Sequence, residues 1–161
     1  MSTLELSTVR RHFDCAAAGF HTASVLHKRV GTELAERLSL VDLSPRHILD
    51  LGCGTGWCTA LLSDRFSQSS VVGLDLSKAM LRVSKKTNVS GLINSDAHRL
   101  PLADESVDLI FSNLLLPWCE TQIVFSEACR VLRPGGLFTF SSCGPDSLRE
   151  LVTTWAMVDE G

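Results

Sequence analysis

The sequence predicts an α/β fold in which helices cover a parallel β-sheet. The first observation is an apolar run, Ile48–Leu51, that leads directly into the glycine-rich segment Gly52–Gly56 and then into a helical pattern. The second is that further short β-rich runs alternate with amphipathic segments along the chain. Alternating strands and helices form parallel sheets joined by right-handed crossovers. The third is that acidic residues end or follow the strands, which predicts a site at the carboxyl edge of the sheet.

The segment around Gly52–Gly56 is typical of a nucleotide-binding βαβ unit. The strand begins near Arg46 or His47, and Trp57–Phe66 after the glycines has apolar side chains at helical spacing. Glycine suits this turn because a Cβ would block both the tight backbone and the close approach of a ligand. The helix that follows presents unpaired N–H groups to that ligand.

The spacing of the glycines favours a cationic ligand. Dinucleotide sites have G-x-G-x-x-G, whereas this chain has G-x-G-x-G with Asp50 two residues before the first glycine. A carboxylate here suits S-adenosylmethionine (SAM), which has a sulfonium, an ammonium and no phosphate, better than it suits a pyrophosphate. The alternative is that Asp50 only hydrogen-bonds the turn. A nicotinamide dehydrogenase is disfavoured by the spacing.

The second predicted strand, Ser70–Asp75, also ends in an acid. Asp75 stands 19 positions after Gly56, the distance at which an acid in such a unit meets the ribose hydroxyls. A carboxylate can accept hydrogen bonds from both hydroxyls of the diol. We favour this role over that of an ordinary turn residue.

A helix, a weak strand and a loop follow. Ser77 is the predicted N-cap of a helix through Lys86 with Met80 facing inward, and the third strand is residues 89–94. In the loop after it, Asp96 is placed to accept from an adenine amino group, with the N–H of Ala97 nearby. We interpret His98 as an exposed loop histidine rather than a general base.

The rest of the core repeats the pattern. The fourth strand is predicted at residues 106–112 and a helix at about 120–132. Pro134–Gly136 is predicted to stop this helix and lead into a fifth strand at residues 137–142. An amphipathic helix is predicted over residues 145–159.

Residues 1–44 are predicted to form an N-terminal helical arm, and residues 45–161 the core. Two helical segments of the arm are predicted to join at Gly19. Such an arm can cover a ligand cleft, but from the sequence alone we favour a simple packing role.

Composition excludes several classes of protein. The net charge is −3, with no basic stripe, so nucleic acid is not an expected partner. There is no apolar leader and no run long enough to span a bilayer, so a cytoplasmic protein without a membrane partner is expected. The six cysteines are scattered, which predicts free thiols and no metal site.

Four linked segments over about residues 46–143 resemble the class I SAM-dependent methyltransferases: ILDLGCGTG, GLDLS, SDAHRLPLADESVDLIFSN and VLRPGGLFTFS. The resemblance implies a Rossmann-like, doubly wound parallel sheet and SAM as the cofactor. The stretches HFDCAAAGFHTASVLHKR, SNLLLPWC and GPDSLRELVTTWAMVDE are similar to the BioC-type malonyl-acyl-carrier-protein O-methyltransferases of biotin synthesis. That family methylates the free carboxylate of a malonyl group on acyl carrier protein.

This likeness implies roles for individual residues. The methionine part of SAM would lie on Asp50, Gly52 and Gly54, the ribose on Asp75, and the adenine on Asp96 with Ala97. Asn113 and Leu114 would line the floor near the sulfonium, and Phe20 would cover the cofactor. Further expected cofactor contacts are Cys53, Gly56, Leu76 and Met80. Candidate substrate contacts are Trp118 and Arg149, with Arg99 as another possible cationic clamp; no residue is expected to transfer a proton.

Two features depart from the family pattern. Many relatives carry a tyrosine where Phe20 stands. The sequence also ends at Gly161, before the further helix and C-terminal β-hairpin that methyltransferases of this class add. Cofactor contacts are therefore expected to be largely intact and substrate contacts incomplete. The alternatives are a SAM-dependent methyltransferase for another small acceptor, and an inactive, shortened SAM-binding domain.

Overall fold

The computed structural model describes residues 5–84 and 89–144, together with residues 146, 147, 149 and 154. Five parallel strands form one sheet. They are β1 (His47–Leu51), β2 (Ser70–Asp75), β3 (Gly91–Asn94), β4 (Val107–Asn113) and β5 (Leu132–Ser141). The spatial order is β3-β2-β1-β4-β5, so the chain changes direction across the sheet between β1 and β4. Ligands of open α/β sheets bind at the carboxyl ends of the strands at such a switch point.

Five α-helices accompany the sheet in the described residues. They are α1 (Leu6–Ala23), α2 (Val25–Arg37), α3 (Trp57–Arg65), α4 (Lys78–Ser84) and α5 (Thr121–Val131). Short 3₁₀ turns occupy Leu38–Leu40 and Leu116–Trp118.

Helices pack on both faces of the sheet. On one face, buried side chains of α2 and α3, such as Leu34 and Leu62, meet Phe111 of the sheet. On the other face, Val124 of α5 meets Ile110. The predicted doubly wound, Rossmann-like parallel sheet is confirmed.

The N-terminal helices break at Ser24 and not at Gly19, so the predicted junction is wrong. The helix runs through Gly19 without interruption, whereas Ser24 leaves the helical region with ψ 42°. Ser24 is buried at this corner. A glycine weakens a helix but does not end it when the packing on either side is helical.

The crossover from β3 to β4 is a loop, so the strict alternation of strands and helices fails there. Leu100 and Leu102 in this loop are held by α5 instead. The N–H of Leu100 donates to Glu127 over 2.7 Å, and the Arg130 guanidinium donates to the carbonyl oxygens of Leu100 and Leu102. These bonds satisfy backbone groups that a helix would otherwise pair.

The segment Pro134–Gly136 lies within β5, and not before it as predicted. Helix α5 ends at Val131, and the register jumps from Val107↔Leu132 to Leu109↔Leu137. Gly135 has φ +81°, and a Cβ on Gly136 would stand 2.9 Å from a backbone oxygen. The two glycines therefore form a bulge and do not separate two elements.

Ser77 caps α4 as predicted, since its hydroxyl accepts from the N–H of Met80 over 3.1 Å. The predicted end of this helix at Lys86 lies outside the described residues, as does most of the helix predicted over residues 145–159. No helix of the described chain combines the length and apolar character needed to cross a bilayer.

Candidate functional site

A cleft opens at the carboxyl ends of β1, β2 and β4, under the N-terminal helices. Most of the predicted site residues line it: Phe20, Asp50, Gly52, Cys53, Gly54, Asp75, Leu76, Met80, Asp96, Ala97, Asn113, Leu114 and Trp118. Gly56, Arg99 and Arg149 do not line it. Gly56 shapes the turn, because its carbonyl accepts from Ala60 at the start of α3. Arg149 is exposed beyond the fifth strand.

The glycine turn forms the floor of the cleft. Gly52, Gly54 and Gly56 all have positive φ, at +78°, +53° and +83°, which side chains rarely adopt. A Cβ on Gly52 would also stand 2.9 Å from the side chain of Leu115. By contrast, a Cβ on Gly54 would meet nothing closer than the ring of Phe20, at 3.9 Å. The turn therefore leaves open space directly above Gly54.

Asp50 is a buried acid at the back of the cleft, with 1% of its surface exposed. Its Oδ2 accepts from the Thr59 hydroxyl on α3 over 2.6 Å. Burial raises the pKa of Asp50 to about 7, with a further increase from the charge of Asp75, against the lowering effect of the Thr59 hydrogen bond. The hydrogen-bond partner of the Asp50 carboxylate is therefore Thr59 of α3, and not a residue of the glycine turn.

Asp75 joins the glycine turn to the start of α4. Its Oδ2 accepts from the N–H of Gly54 and its Oδ1 from the N–H of Ser77, each over 2.8 Å. Burial raises the pKa of Asp75 despite these two hydrogen bonds. The carboxylate therefore has a turn-forming role, and each oxygen still has acceptor capacity for a ligand.

His98 is not an exposed loop histidine, so that interpretation is wrong. Its side chain is 20% exposed. Nδ1 lies 2.7 Å from Oδ1 of Asp96, and Nε2 accepts from the N–H of Glu120 over 2.8 Å. Sequence spacing gives no sign of the second contact, which joins residues 22 positions apart.

Asn113 and Leu114, at the end of β4, are held by two other elements, α2 and β5. The Asn113 amide donates to the carbonyl of His27 on α2 over 2.8 Å, and its Oδ1 accepts from the Ser141 hydroxyl over 2.8 Å. The N–H of Leu114 donates to that hydroxyl oxygen over 3.0 Å. Leu114 has φ +55°, a conformation that costs a residue with a side chain about 1–3 kcal/mol. The Ser141 contacts therefore stabilise an unfavourable backbone at the cleft.

The comparisons with known proteins agree with this geometry. Residues 49–140 match a family model described as a methyltransferase domain. The chain belongs to the methyltransferase domain family.

A malonyl-[acyl-carrier protein] O-methyltransferase of Methylovorus sp. (strain MP688) is 42% identical over 92% of this chain and 54% of its own length. The chain therefore spans about half the length of this curated relative.

Solved structures also match. A chain of the complex between the Haloferax volcanii Trm112 methyltransferase activator and a methyltransferase has a TM-score of 0.74 at 26% identity, covering 83% of this chain and 60% of that one. An S-adenosylmethionine dependent methyltransferase from Mesorhizobium loti has a TM-score of 0.57 at 33% identity, covering 67% of this chain and 51% of that one.

The N-terminal helices cover the cleft of the methyltransferase domain, so they do more than pack. Asp14 attaches α1 to α4, since its Oδ1 accepts from the Ser77 hydroxyl over 2.5 Å and from the N–H of Ala79 over 3.2 Å. The Phe13 ring stands 5.4 Å from that of Trp118, with the rings edge to face. The arm is therefore in direct contact with the segment after β4 that lines the cleft.

Sequence reasoning missed about half of the cleft lining. Phe13 lies seven residues before the predicted Phe20, a spacing that places both on one helix face, so Phe13 could have been found from the sequence. The others needed the tertiary structure. The missed residues are Leu6, Val9, Arg10, Phe13, Ser24, His27, Lys28, Thr55, Trp57, Cys58, Leu74, Ser77, Ser95, Leu115 and Cys119.

All six cysteines are free, as predicted. Burial raises the pKa of the Cys53 and Cys58 thiols well above the ordinary value, so neither is an activated nucleophile. Within the described residues, no group of three or more His, Cys, Asp or Glu is arranged to hold a metal ion.

Proposed function

We propose that this chain is the cofactor-binding part of a SAM-dependent O-methyltransferase. One observation carries the proposal: Asp50, Asp75 and Asp96, from the ends of three adjacent strands, line one cleft whose floor is the glycine turn. Three acids in one apolar cleft suit a cationic ligand that also has hydroxyl and amino donors. The Mesorhizobium loti neighbour, whose name gives SAM as its cofactor, supports the choice.

The residues present fit SAM. In the proposed arrangement, Asp50 with Gly52 and Gly54 holds the methionine part, Asp75 the ribose, and Asp96 with Ala97 the adenine. Leu76 and Met80 supply apolar contacts on the adenine side, Cys53 lies beside the turn, and Asn113 and Leu114 lie near the sulfonium. We also propose that residues 1–44 act as a covering arm over a core beginning at residue 45, with Phe20 above Gly54.

SAM supplies an electrophilic methyl group when it is bound. The residues of this chain have to hold the acceptor in line and exclude water, and such placement can contribute roughly 7–11 kcal/mol. An acceptor carboxylate with a reference pKa near 3.5 is ionised at neutral pH, so no general base is needed. His98 fits this conclusion, because both of its ring nitrogens already have partners.

We propose malonyl-acyl carrier protein as the acceptor, from the name of the Methylovorus relative. Of the lysine and arginine residues described, Arg10 and Lys28 line the cleft, and they replace Arg99 and Arg149 as the candidate clamp for the acceptor carboxylate. Trp118 remains the candidate acceptor-side contact.

Two exposed arginines near Asp14, of which Arg10 lines the cleft, support an acidic carrier protein as partner. The Ser77 hydrogen bond lowers the pKa of Asp14, and the positive charges of Arg10 and Arg82 lower it further. Both arginines are exposed, so their charges can steer the approach of an acidic protein.

The proposal is tested by titrating the purified chain with SAM in a calorimeter, and then the Asp75→Ala variant. We expect saturable binding of SAM to the wild-type chain. Asp75→Ala should weaken this binding at least about tenfold, because a hydrogen bond to a charged group contributes roughly 1.5–3 kcal/mol. Labelled SAM with malonyl-acyl carrier protein then tests the acceptor. Absence of SAM binding refutes the proposed function, and SAM binding with labelling of another acceptor alone refutes the carrier protein.

A further inference from the structure

His98 lies in the loop between β3 and β4, and hydrogen bonds fix its ring in one tautomer. Nε2 receives the backbone N–H of Glu120 over 2.8 Å. A backbone N–H can only donate, so Nε2 has no proton and the neutral ring has its proton on Nδ1. That proton is shared with Oδ1 of Asp96 over 2.7 Å. The backbone N–H of His98 donates to the same oxygen over 2.9 Å.

The two partners of the ring belong to two different segments of the chain. Asp96, proposed above as the adenine contact, lines the cleft. Trp118, the candidate acceptor contact, and Cys119 directly precede Glu120 and also line the cleft. The imidazole therefore bridges the proposed adenine contact and the segment of the candidate acceptor contact.

The rest of this loop is anchored without His98. Glu127 accepts from the N–H of Leu100, and Arg130 donates to two carbonyl oxygens of the loop. Glu127 and Arg130 also pair with each other over 2.8 Å. The loop therefore keeps its attachment to α5 in a His98 variant, and what the variant loses is the link between Asp96 and the segment that contains Glu120.

We propose that His98 is a positioning residue for methyl transfer, resting on the function proposed above. By occupying Oδ1 of Asp96, the ring leaves Oδ2 for the adenine amino group. By holding the N–H of Glu120, it fixes Trp118 against Phe13, where their ring centroids are 5.4 Å apart. His98 thereby aligns the cofactor and acceptor halves of the site without touching either ligand.

Two substitutions separate the two contacts. The amide of His98→Asn can donate to Asp96 in place of Nδ1 but does not reach Glu120. The longer amide of His98→Gln can accept from the N–H of Glu120 but has no donor at the position of Nδ1, so the hydrogen bond to Asp96 is lost. The bond from the Glu120 N–H to Nε2 is neutral and contributes about 0.5–1.5 kcal/mol, or between about 2-fold and 13-fold. The bond from Nδ1 to the Asp96 carboxylate is charge-assisted and contributes roughly 1.5–3 kcal/mol, or at least about 13-fold.

We expect His98→Gln, which loses the bond to the Asp96 carboxylate, to weaken SAM binding at least about 13-fold with an unchanged KM for malonyl-acyl carrier protein. We expect His98→Asn to keep the Kd for SAM and to raise that KM, or lower kcat, by about 2-fold to 13-fold. The control is Glu127→Gln, which alters the loop anchor outside the cleft. It should lower the urea midpoint and leave both the Kd and the KM unchanged.

The outcomes are distinguishable. If the Kd and the KM change together in both variants, or neither changes, His98 has at most a structural role and the inference is wrong. Asp96→Asn tests the proposed SAM-binding function separately from the role of His98. If neither Asp96→Asn nor Asp75→Ala alters SAM binding, the proposed function fails. If Asp96→Asn weakens SAM binding but the two His98 variants do not change the Kd and the KM separately, only the positioning role is refuted and the proposed function stands.

Discussion

Replacing Asp50 by asparagine should remove a pH dependence of stability. Burial raises the pKa of this carboxyl from 3.8 to about 7 in the folded chain. The folded state therefore keeps a proton that the unfolded state has already lost. The contribution of this retained proton to the stability of the folded state is fully present below about pH 4 and is lost as the pH rises to about 7. At about 1.36 kcal/mol for each pH unit, the full effect is roughly 4 kcal/mol.

The assay is urea unfolding at pH 5 and pH 8 for the wild type and Asp50→Asn. Over this range we expect the wild type to lose roughly 3 kcal/mol of unfolding free energy through Asp50. The variant should lose much less, because its amide does not titrate and can still accept from Thr59. A smaller loss from Asp75 should persist, since burial raises its pKa in the same direction.

The matched control is Asp64→Asn, which changes an exposed carboxyl on α3. It should reproduce the wild-type difference between pH 5 and pH 8. A variant at position 50 that loses as much stability as the wild type would refute the argument that burial determines the protonation of this acid.

Four further substitutions test other parts of the structure. Gly52→Ala should cost at least about 2 kcal/mol of unfolding free energy, because positive φ and the contact with Leu115 both oppose a Cβ. Gly19→Ala should instead gain about 0.5–1 kcal/mol, since it lies in α1 with open space around its Cβ position; equal urea midpoints for the two variants would contradict this. Ser77→Ala should cost about 0.5–2 kcal/mol through the lost cap of α4, and an unchanged midpoint would refute the capping role. Burial raises the pKa of Asp108, but hydrogen bonds led by that of Arg133 outweigh it and lower the pKa to about 2. The stabilisation of the folded state by the Asp108 carboxylate is present above about pH 4 and is lost towards pH 2. Asp108→Asn should therefore lower the unfolding free energy by up to roughly 2 kcal/mol at pH 6 and flatten the acid side of the stability curve. Urea unfolding at pH 6 and pH 3 checks this.

The strands and the acids at their ends could be predicted because they are local features. An apolar run before the glycine turn marks β1, and a β-rich run that ends in an acid marks β2. The carboxyl ends of parallel strands share one edge of the sheet. Asp50, Asp75 and Asp96 were therefore expected on one side of the molecule, and they line one cleft. The helix cap at Ser77 is local in the same sense.

Other features depended on contacts between distant parts of the chain. The Asn113 amide meets the His27 carbonyl across 86 positions, and Asp14 meets Ser77 across 63. No periodicity encodes such pairs, so the sequence could not decide whether the arm covers the cleft. The helix break at Ser24 and the bulge at Gly135 depend in the same way on what the neighbouring elements need.

The sequence by itself determined the α/β class, the glycine floor and which acids stand at the strand ends, because each follows from residues adjacent in the chain. The tertiary structure decided that Arg10 and Lys28 line the cleft while Arg99 and Arg149 do not. It also decided that the His98 ring contacts both Asp96 and the N–H of Glu120. Charged and polar side chains on loops carry no periodic signal, and their partners are set by packing in space.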